Sequence, residues 1–420
     1  MYQAPRGTAD ILPANQPLWN SVSVTVTHAA HVHGYRRIDT PIFEETGLFL
    51  RTVGEETDIV QKEMYSFDDR GGTNITLRPE GTAAVCRAYL ESGMHNQAQP
   101  VRLFYLCPMF RYDRPQAGRF RQFHQFGVEA IGDSDPAVDL EVIQLAMDTM
   151  RRLGLGGMKL LLNNIGDAAD RPRYLAALRE HFQPYLAHLG KDDRRRFDTN
   201  PLRLLDSKEL ASEAFMADAP RSVDFLGDEA QAHWDELLGH LDALGLPYTL
   251  DNSLVRGLDY YTRTVFEIHP VREGAQSAVC AGGRYDGLIE QLGGKPTPGI
   301  GFAAGLERII MNLREQGADA EMAVAHPLVI AHSGAEAKEK AVAIATNLRD
   351  AEIPAVVAPA RSMKAQMRYA SSVGAAKVVL IGPREIEQRI VTVRDMATAE
   401  QKEEPESKLL ELLGSYRLPG

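Results

Sequence analysis

Pro108–Gly132 reads PMFRYDRPQAGRFRQFHQFGVEAIG, and the fold follows from how this stretch is built. Its second half alternates. Gln125, Gly127 and Glu129 fall on one face of an extended strand, Phe126 and Val128 on the other. Its first half carries Arg111, Arg114, Arg119 and Arg121, opposed only by Asp113. The turn-forming DRPQAGR between the strands predicts a hairpin whose loop folds over a substrate. Arginine grips phosphate bidentately, and alternating arginine and aromatic positions on paired strands would put the guanidinium groups on a common face. A basic sheet edge that guards against aggregation is the plainer alternative, but such edges use lysine and this stretch has none. If Arg111 and Arg119 share a pocket with the Gln125/Glu129 face, that pocket has a cationic end and a carboxylate end. It would hold a molecule bearing a phosphate and a basic group in one direction.

Outward from this hairpin, strand cores are expected at Ile75–Leu77, Val101–Cys107, Phe123–Ile131, Val265–His269 and Phe302–Ala304, with a short strand at Tyr35–Thr40 closed by Pro41. Helices are expected at Pro17–His33, Gly81–Glu91, Val138–Leu153 and Gly305–Gln316. Hairpin spacing between Val101 and Ile131 points to a large antiparallel sheet flanked by helices, an α+β domain over residues 1–325. Between Ala168 and Leu226 strand signals vanish. Tyr174–Leu189 and Lys208–Ala217 read as helices joined by the charged KDDRRRFDTNPLRLLDSK, so 168–226 reads as a helical insertion. From His326 strands and helices alternate: LVIA, Glu336–Asp350, AVVA, Ser362–Ser372, KVVLIG, Ile390–Arg394 and Glu406–Leu413. That pattern predicts a C-terminal α/β domain over 326–420.

A chain of 420 residues suits two to four domains, and 44% apolar with 25% charged residues excludes a disordered or fibrous protein. Cys86, Cys107 and Cys280 are odd in number and far apart, which speaks against a disulfide framework or a thiolate zinc site. The opening MYQAPRGTADILP has no apolar signal core, and no apolar run is long enough to span a bilayer; a cytoplasmic protein with no membrane partner is expected. The net charge of −11 hides an asymmetry. Residues 326–420 carry 13 basic and 12 acidic side chains, and Arg361–Arg394 alone carries seven basic and two acidic. Screening confines fields to roughly 8–10 Å, so such a patch can bind phosphate on an acidic protein.

Other stretches carry chemistry. In LVRGLDYYTRTVFE (Leu254–Glu267), Gly257 lets the backbone beside Arg256 approach a ligand closely, and Tyr260 and Tyr261 would offer hydroxyls on opposite faces. In AGGRYDGLIEQL (Ala281–Leu292) the paired glycines would begin a turn into a helix; no phosphate-loop pattern is present. PGIGFAAGLER (Pro298–Arg308) misses the dinucleotide fingerprint and instead fits a strand left bare for a flat ligand, with Arg308 stacking from the next helix. His28 and His31 would share a helix face that excludes His33, and no carboxylate is near in sequence; solvated histidines are expected there, not a metal site. No nucleophile elbow occurs.

In this order, a helix and strand ending at Pro41, FRYDRPQAGRFRQF and GIGFAAGLER resemble the catalytic core of class II aminoacyl-tRNA synthetases. LRPEGT (Leu77–Thr82), LVRGLDYYTRTVFE and AGGRYDGL resemble the histidyl-tRNA synthetase family in particular. The likeness runs over nearly the whole chain and implies ATP-dependent ligation of L-histidine to tRNA(His) through an adenylate, with Mg2+ carried on ATP and no protein metal ligands. It places Arg111 on the α-phosphate, Arg119 toward the γ-phosphate, and the adenine between Phe123 and Arg308. Glu80 and Thr82 would hold the α-amino group of histidine with Gln125 nearby. Glu129 and Tyr261 would bind the imidazole, with Tyr260 and Tyr285 lining the pocket, and Arg256 would meet the carboxylate and α-phosphate. The resemblance implies a homodimer with the Pro41 region at its interface. It gives the C-terminal domain, with Arg361, Lys364 and Arg368, the anticodon stem-loop, and gives Arg114 the 5′ end of the tRNA. One rival is the synthetase-like regulatory subunit of ATP phosphoribosyltransferase, which lacks the C-terminal domain and loses signature residues. A prolyl or threonyl ligase would not carry RGLDYYT, and a pure RNA-binding module would not need the arginine–glutamate pocket.

Overall fold

The computed structural model describes residues 2–417 apart from 55–56, 117, 208, 211, 271–277 and 318–326. It divides into two compact units, Met1–Glu321 and Met322–Gly420. The expected boundary between residues 325 and 326 lies outside the described residues.

The first unit is built on an eight-stranded sheet. In spatial order its strands are Arg36–Arg37, Val101–Phe110, Gln122–Ile131, Gly299–Gly305, Cys280–Arg284, Thr262–Pro270, Met158–Asn164 and Thr249–Leu250. The two end strands pair in parallel and the six between them run antiparallel. The alternation in the Gln122–Ile131 strand sets its register: Glu129 lies opposite Leu103 on one side and Gly301 on the other. Phe126 and Val128 point to the opposite face, where Phe126 meets Phe104 and Phe302 at ring separations of 6.3 and 5.6 Å. Helices Gln16–Val32, Pro136–Arg152 and Leu306–Glu315 accompany the sheet; Asp135 caps the second by accepting from the Ala137 amide at 2.8 Å. Thr82–Glu91 starts where the Glu80 carboxylate accepts from the Thr82 and Ala83 amides at 2.7 and 2.9 Å.

Local corrections follow from packing. The strand expected over Tyr35–Thr40 is only Arg36–Arg37, because it pairs with Leu103 and Phe104 and nothing further. Gly282 and Gly283 lie inside the Cys280–Arg284 strand and do not begin a turn; the helix after them is just Leu288–Gln291. In the insertion, Arg171–Phe182 continues as a 3-10 turn to His188, and the charged connection contains a helix, Lys191–Thr199. The helix expected at Lys208–Ala217 is confined to Ala214–Ala217; Lys208 and Ala211 themselves lie outside the described residues. The strand Met158–Asn164 and the helix Asp228–Ala243 flank the insertion, and a separate three-stranded sheet pairs Asn74–Leu77 with Phe43–Glu45 and Tyr65–Asp68.

The second unit is a five-stranded sheet in the order Ala355–Val357, Leu328–His332, Lys377–Ile381, Ile390–Asp395 and Gln401–Pro405, with helices Ala335–Asp350 and Met363–Ser372. Its last α-helical segment is Leu409–Leu412, with 3-10 turns at Glu406–Lys408 and Gly414–Tyr416. Among the described residues no helix is long and apolar enough to cross a membrane.

Candidate active site

A cavity of about 410 Å³ in the first unit opens on the sheet face that carries Gln125. Its volume suits a small-molecule ligand. Eleven of the residues singled out from sequence line it: Arg111, Arg119, Phe123 and Arg308 in one group, and Glu80, Thr82, Gln125, Arg256, Tyr260, Tyr261 and Tyr285 in the other.

The first group is cationic. Arg111 leaves the Val101–Phe110 strand, donates through Nε to the Pro79 carbonyl at 2.8 Å, and lies 5.5 Å from the Phe123 ring. Arg119 pairs with Asp113 at 3.2 Å. Arg308 is fixed by the carbonyls of Gly118 and Ala278 at 3.2 and 2.7 Å, and its pKa is lowered by burial and by the nearby charges of Arg119 and Arg111. Guanidinium groups that line one cavity and repel one another in this way would be stabilised by an anion bound among them. The four arginines of the hairpin lie beyond the ends of the two strands, where the Arg111 amide still donates to the Arg121 carbonyl at 3.0 Å, and of the four only Arg111 and Arg119 line the cavity. Arg121 turns away to stack on Tyr112 at 3.7 Å, and Arg114 does not line the cavity.

The opposite end is acidic and buried. Glu129 lies just beneath the wall, 1% exposed, accepting from the hydroxyls of Thr82 at 2.7 Å and Tyr285 at 2.6 Å. Burial lifts its pKa to about 8, against the pull of those two hydroxyls and with a push from Glu80. Glu80 is raised too, by burial, although the Ala83 and Thr82 amides and Arg111 oppose it. The Tyr260 hydroxyl lies 3.5 Å from Glu80. Oε1 of Gln125 is buried without a hydrogen-bond partner. Tyr260 and Tyr261 precede the strand, so they do not alternate across it; their rings lie 4.7 Å apart and both line the cavity.

Between the two ends stands Arg256. Burial opposes its charge, but Tyr261 and Glu267 hold its pKa above the ordinary value. It pairs closely with Glu267, whose other oxygen accepts from His269 at 2.7 Å, while its own Nε is buried without a partner. Gly301 and Gly305 of the Gly299–Gly305 strand line the cavity, and a Cβ on Gly305 would meet nothing closer than Arg308 at 3.7 Å, but Gly299 and Gly301 are also needed for close packing. A Cβ on Gly301 would land on the Glu129 carboxylate, and one on Gly299 on the Tyr285 ring.

Sequence reasoning left out several residues of this site. Glu267 and His269 stand two residues apart on the strand Thr262–Pro270, which the sequence marks only as a strand. Glu307 accepts from both the backbone and the ring of His124 at 2.9 Å, which fixes the residue next to Phe123. Asp206 of the insertion also lines the cavity. No local pattern announced these. Among the described residues, no three His, Cys, Asp or Glu side chains gather as a metal site. His33 does have a carboxylate neighbour, Asp148 at 3.4 Å, and His31 packs edge-on to Phe104. Arg361, Lys364 and Arg368 belong to the second unit, where all three are exposed and the last two lie one turn apart on the Met363–Ser372 helix.

Residues 7–309 match the family model described as histidyl-tRNA synthetase, and 327–415 match an anticodon binding domain. A histidine–tRNA ligase of Dehalococcoides mccartyi is 50% identical over 411 residues, 98% of each chain. One of Pelotomaculum thermopropionicum is 50% identical over 398 residues, 94% of each. The crystal structure of apo S. aureus histidyl-tRNA synthetase superposes with a TM-score of 0.81 at 40% identity, covering 98% of this chain and 100% of that one.

Proposed function

The chain belongs to the histidyl-tRNA synthetase family, and we infer from that membership and from its cavity that it ligates L-histidine to tRNA(His), releasing AMP and pyrophosphate. The observation that carries this reading is the polarity of one cavity: three arginines at one end, Glu80 and the buried Glu129 at the other. ATP and histidine are the substrates.

The residue roles are those the family resemblance implies, and this polarity supports them. Arg111 takes the α-phosphate and Arg119 the γ-phosphate end, while Phe123 and Arg308 enclose the adenine. Glu80 and Thr82 hold the α-amino group with Gln125, whose unpartnered oxygen accepts a further N–H. Glu129 and Tyr261 meet the imidazole, and Tyr260 and Tyr285 close the pocket around it. The histidine carboxylate attacks the α-phosphorus in line and pyrophosphate leaves. Charge grows on the phosphoryl oxygens, where Arg111 and Arg256 already stand, so catalysis is mostly positioning and electrostatics. The terminal ribose hydroxyl of the tRNA then attacks the adenylate carbonyl, AMP departs, and the phosphate accepts the proton. Magnesium would enter carried by ATP, as part of the substrate.

Selectivity has a physical basis. An apolar competitor would leave Glu129 and the hydroxyls around it without a ligand partner, and such sites discriminate by about 10⁴–10⁵ without editing. The Pro41 region supports a homodimer, since Ile42, Phe43 and Phe67 are about half exposed there. Arg361, Lys364 and Arg368 face the anticodon stem-loop, Arg114 the acceptor end, and the compartment is the cytoplasm. The test is charging of a tRNA(His) transcript with radiolabelled histidine and ATP. Accumulation of histidyl-tRNA is expected; a folded protein that forms none would contradict the reading.

A further inference from the structure

The helical insertion has its own apolar core, including Tyr174, Leu178, Phe182 and Leu204, and Val255 packs against that core. Val255 is the neighbour of Arg256. From the same insertion two arginines reach the same loop. Arg203, in the 3-10 turn Pro201–Leu204, pairs with the Asp259 carboxylate at 2.9 Å. Arg171, the first residue of helix Arg171–Phe182, donates to the Tyr261 carbonyl at 2.7 Å and to that of Asp259 at 3.4 Å. Asp259 is gripped from the other side as well. Its amide donates to the Val53 carbonyl at 3.2 Å, and its carboxylate fills the space where Gly54 lacks a Cβ. Gly54 has φ +99°, which only glycine adopts without strain.

An exposed ion pair contributes little, but the Arg203 side chain is only 16% exposed and acts with Arg171 on a single loop. Together they fix the backbone on both sides of Tyr260, whose hydroxyl lies 3.5 Å from Glu80. A loop set in its binding conformation places the ordering cost on folding and not on ligand capture. We propose that Arg203, through Asp259, is a positioning residue that sets the Arg256–Tyr261 loop and thereby the affinity for histidine. The insertion is then a working part of the amino-acid site. This rests on the reading of the cavity as the histidine site.

The test is ATP–pyrophosphate exchange at varied histidine and varied ATP, with a thermal melt for each protein. Arg203→Ala raises KM for histidine about ten-fold, the scale of one charged hydrogen bond, while KM for ATP stays within about two-fold. Arg203→Lys, which keeps the charge, recovers most of that loss. Asp259→Asn gives the same phenotype, and the double variant is no worse than the poorer single, because both break the same ion pair. Should Arg203→Ala fail to fold, Asp259→Asn and Arg203→Lys carry the comparison. A histidine KM within about two-fold of the parent in Arg203→Ala and Asp259→Asn would overturn the proposal, as would single effects that multiply in the double variant. A parent protein that shows no histidine-dependent exchange would instead overturn the functional reading, before any variant is made.

Discussion

Replacing Glu129 by Gln removes a charge and keeps a shape, and the two consequences pull in opposite directions. Glu129 is 1% exposed and burial lifts its pKa from 4.5 to about 8. The unfolded chain releases that proton near pH 4.5 and the folded protein only near 8, so unfolding is favoured in between. The cost is small below pH 4.5, grows to about 3 kcal/mol at pH 7 and levels off only above pH 8. Glutamine carries no such cost, and the Thr82 and Tyr285 hydroxyls can turn to accept from its amide. In urea unfolding at pH 5, 6, 7 and 8, E129Q should therefore be as stable as the parent at pH 5 and increasingly more stable toward pH 8. The same change removes a charged hydrogen bond to the imidazole, worth about 1.5–3 kcal/mol, or roughly ten- to 150-fold in kcat/KM for histidine. Exchange assays on the same samples read that loss. Parental activity in E129Q, or a stability gap that stays flat or narrows from pH 5 to pH 8, would refute the reasoning.

Arg256→Ala removes the guanidinium between the two ends of the cavity; exchange should fall by about 10²–10³, chiefly in kcat, with an unchanged circular dichroism spectrum. Asp139→Ala takes a partner from Arg284, which is fully buried and bonded to Asp139 at 2.8 Å. A loss of about 3 kcal/mol in urea unfolding is expected, and a loss under about 1 kcal/mol would contradict it. The affinity for histidine should be bell-shaped in pH if the imidazole and Glu129 share one proton when bound. Free imidazole titrates near pH 6.5 and Glu129 near 8, so affinity falls about ten-fold per pH unit outside that window. Calorimetry across pH 5.5 to 9.5 reads this, and a monotonic rise through pH 8 would exclude the shared proton.

Much of the sheet could be read from local alternation. In Gln122–Ile131 one face must be apolar against Phe104 and Phe302 while the other meets ligand, so period-two patterning survives in the sequence. The helix Lys191–Thr199 was hidden for the opposite reason. Only Asp193 and Phe197 of it are buried, too thin a stripe to show as amphipathic, although its acidic start and basic end suit a helix. Openness to the cavity accounts for Gly305, but Gly299 and Gly301 also make room for Tyr285 and Glu129, residues remote in sequence. Partnerships such as His124 with Glu307, or Arg203 with Asp259, join residues far apart in the chain and leave no local trace. The family motifs pointed to the lining of the cavity; its supports became visible only in three dimensions.

The most direct test of the central claim is ATP–pyrophosphate exchange with each of the twenty amino acids supplied singly. The cavity predicts exchange with histidine alone, lost in Arg256→Ala. Exchange driven by another amino acid, or by none in a protein shown to be folded, would contradict it.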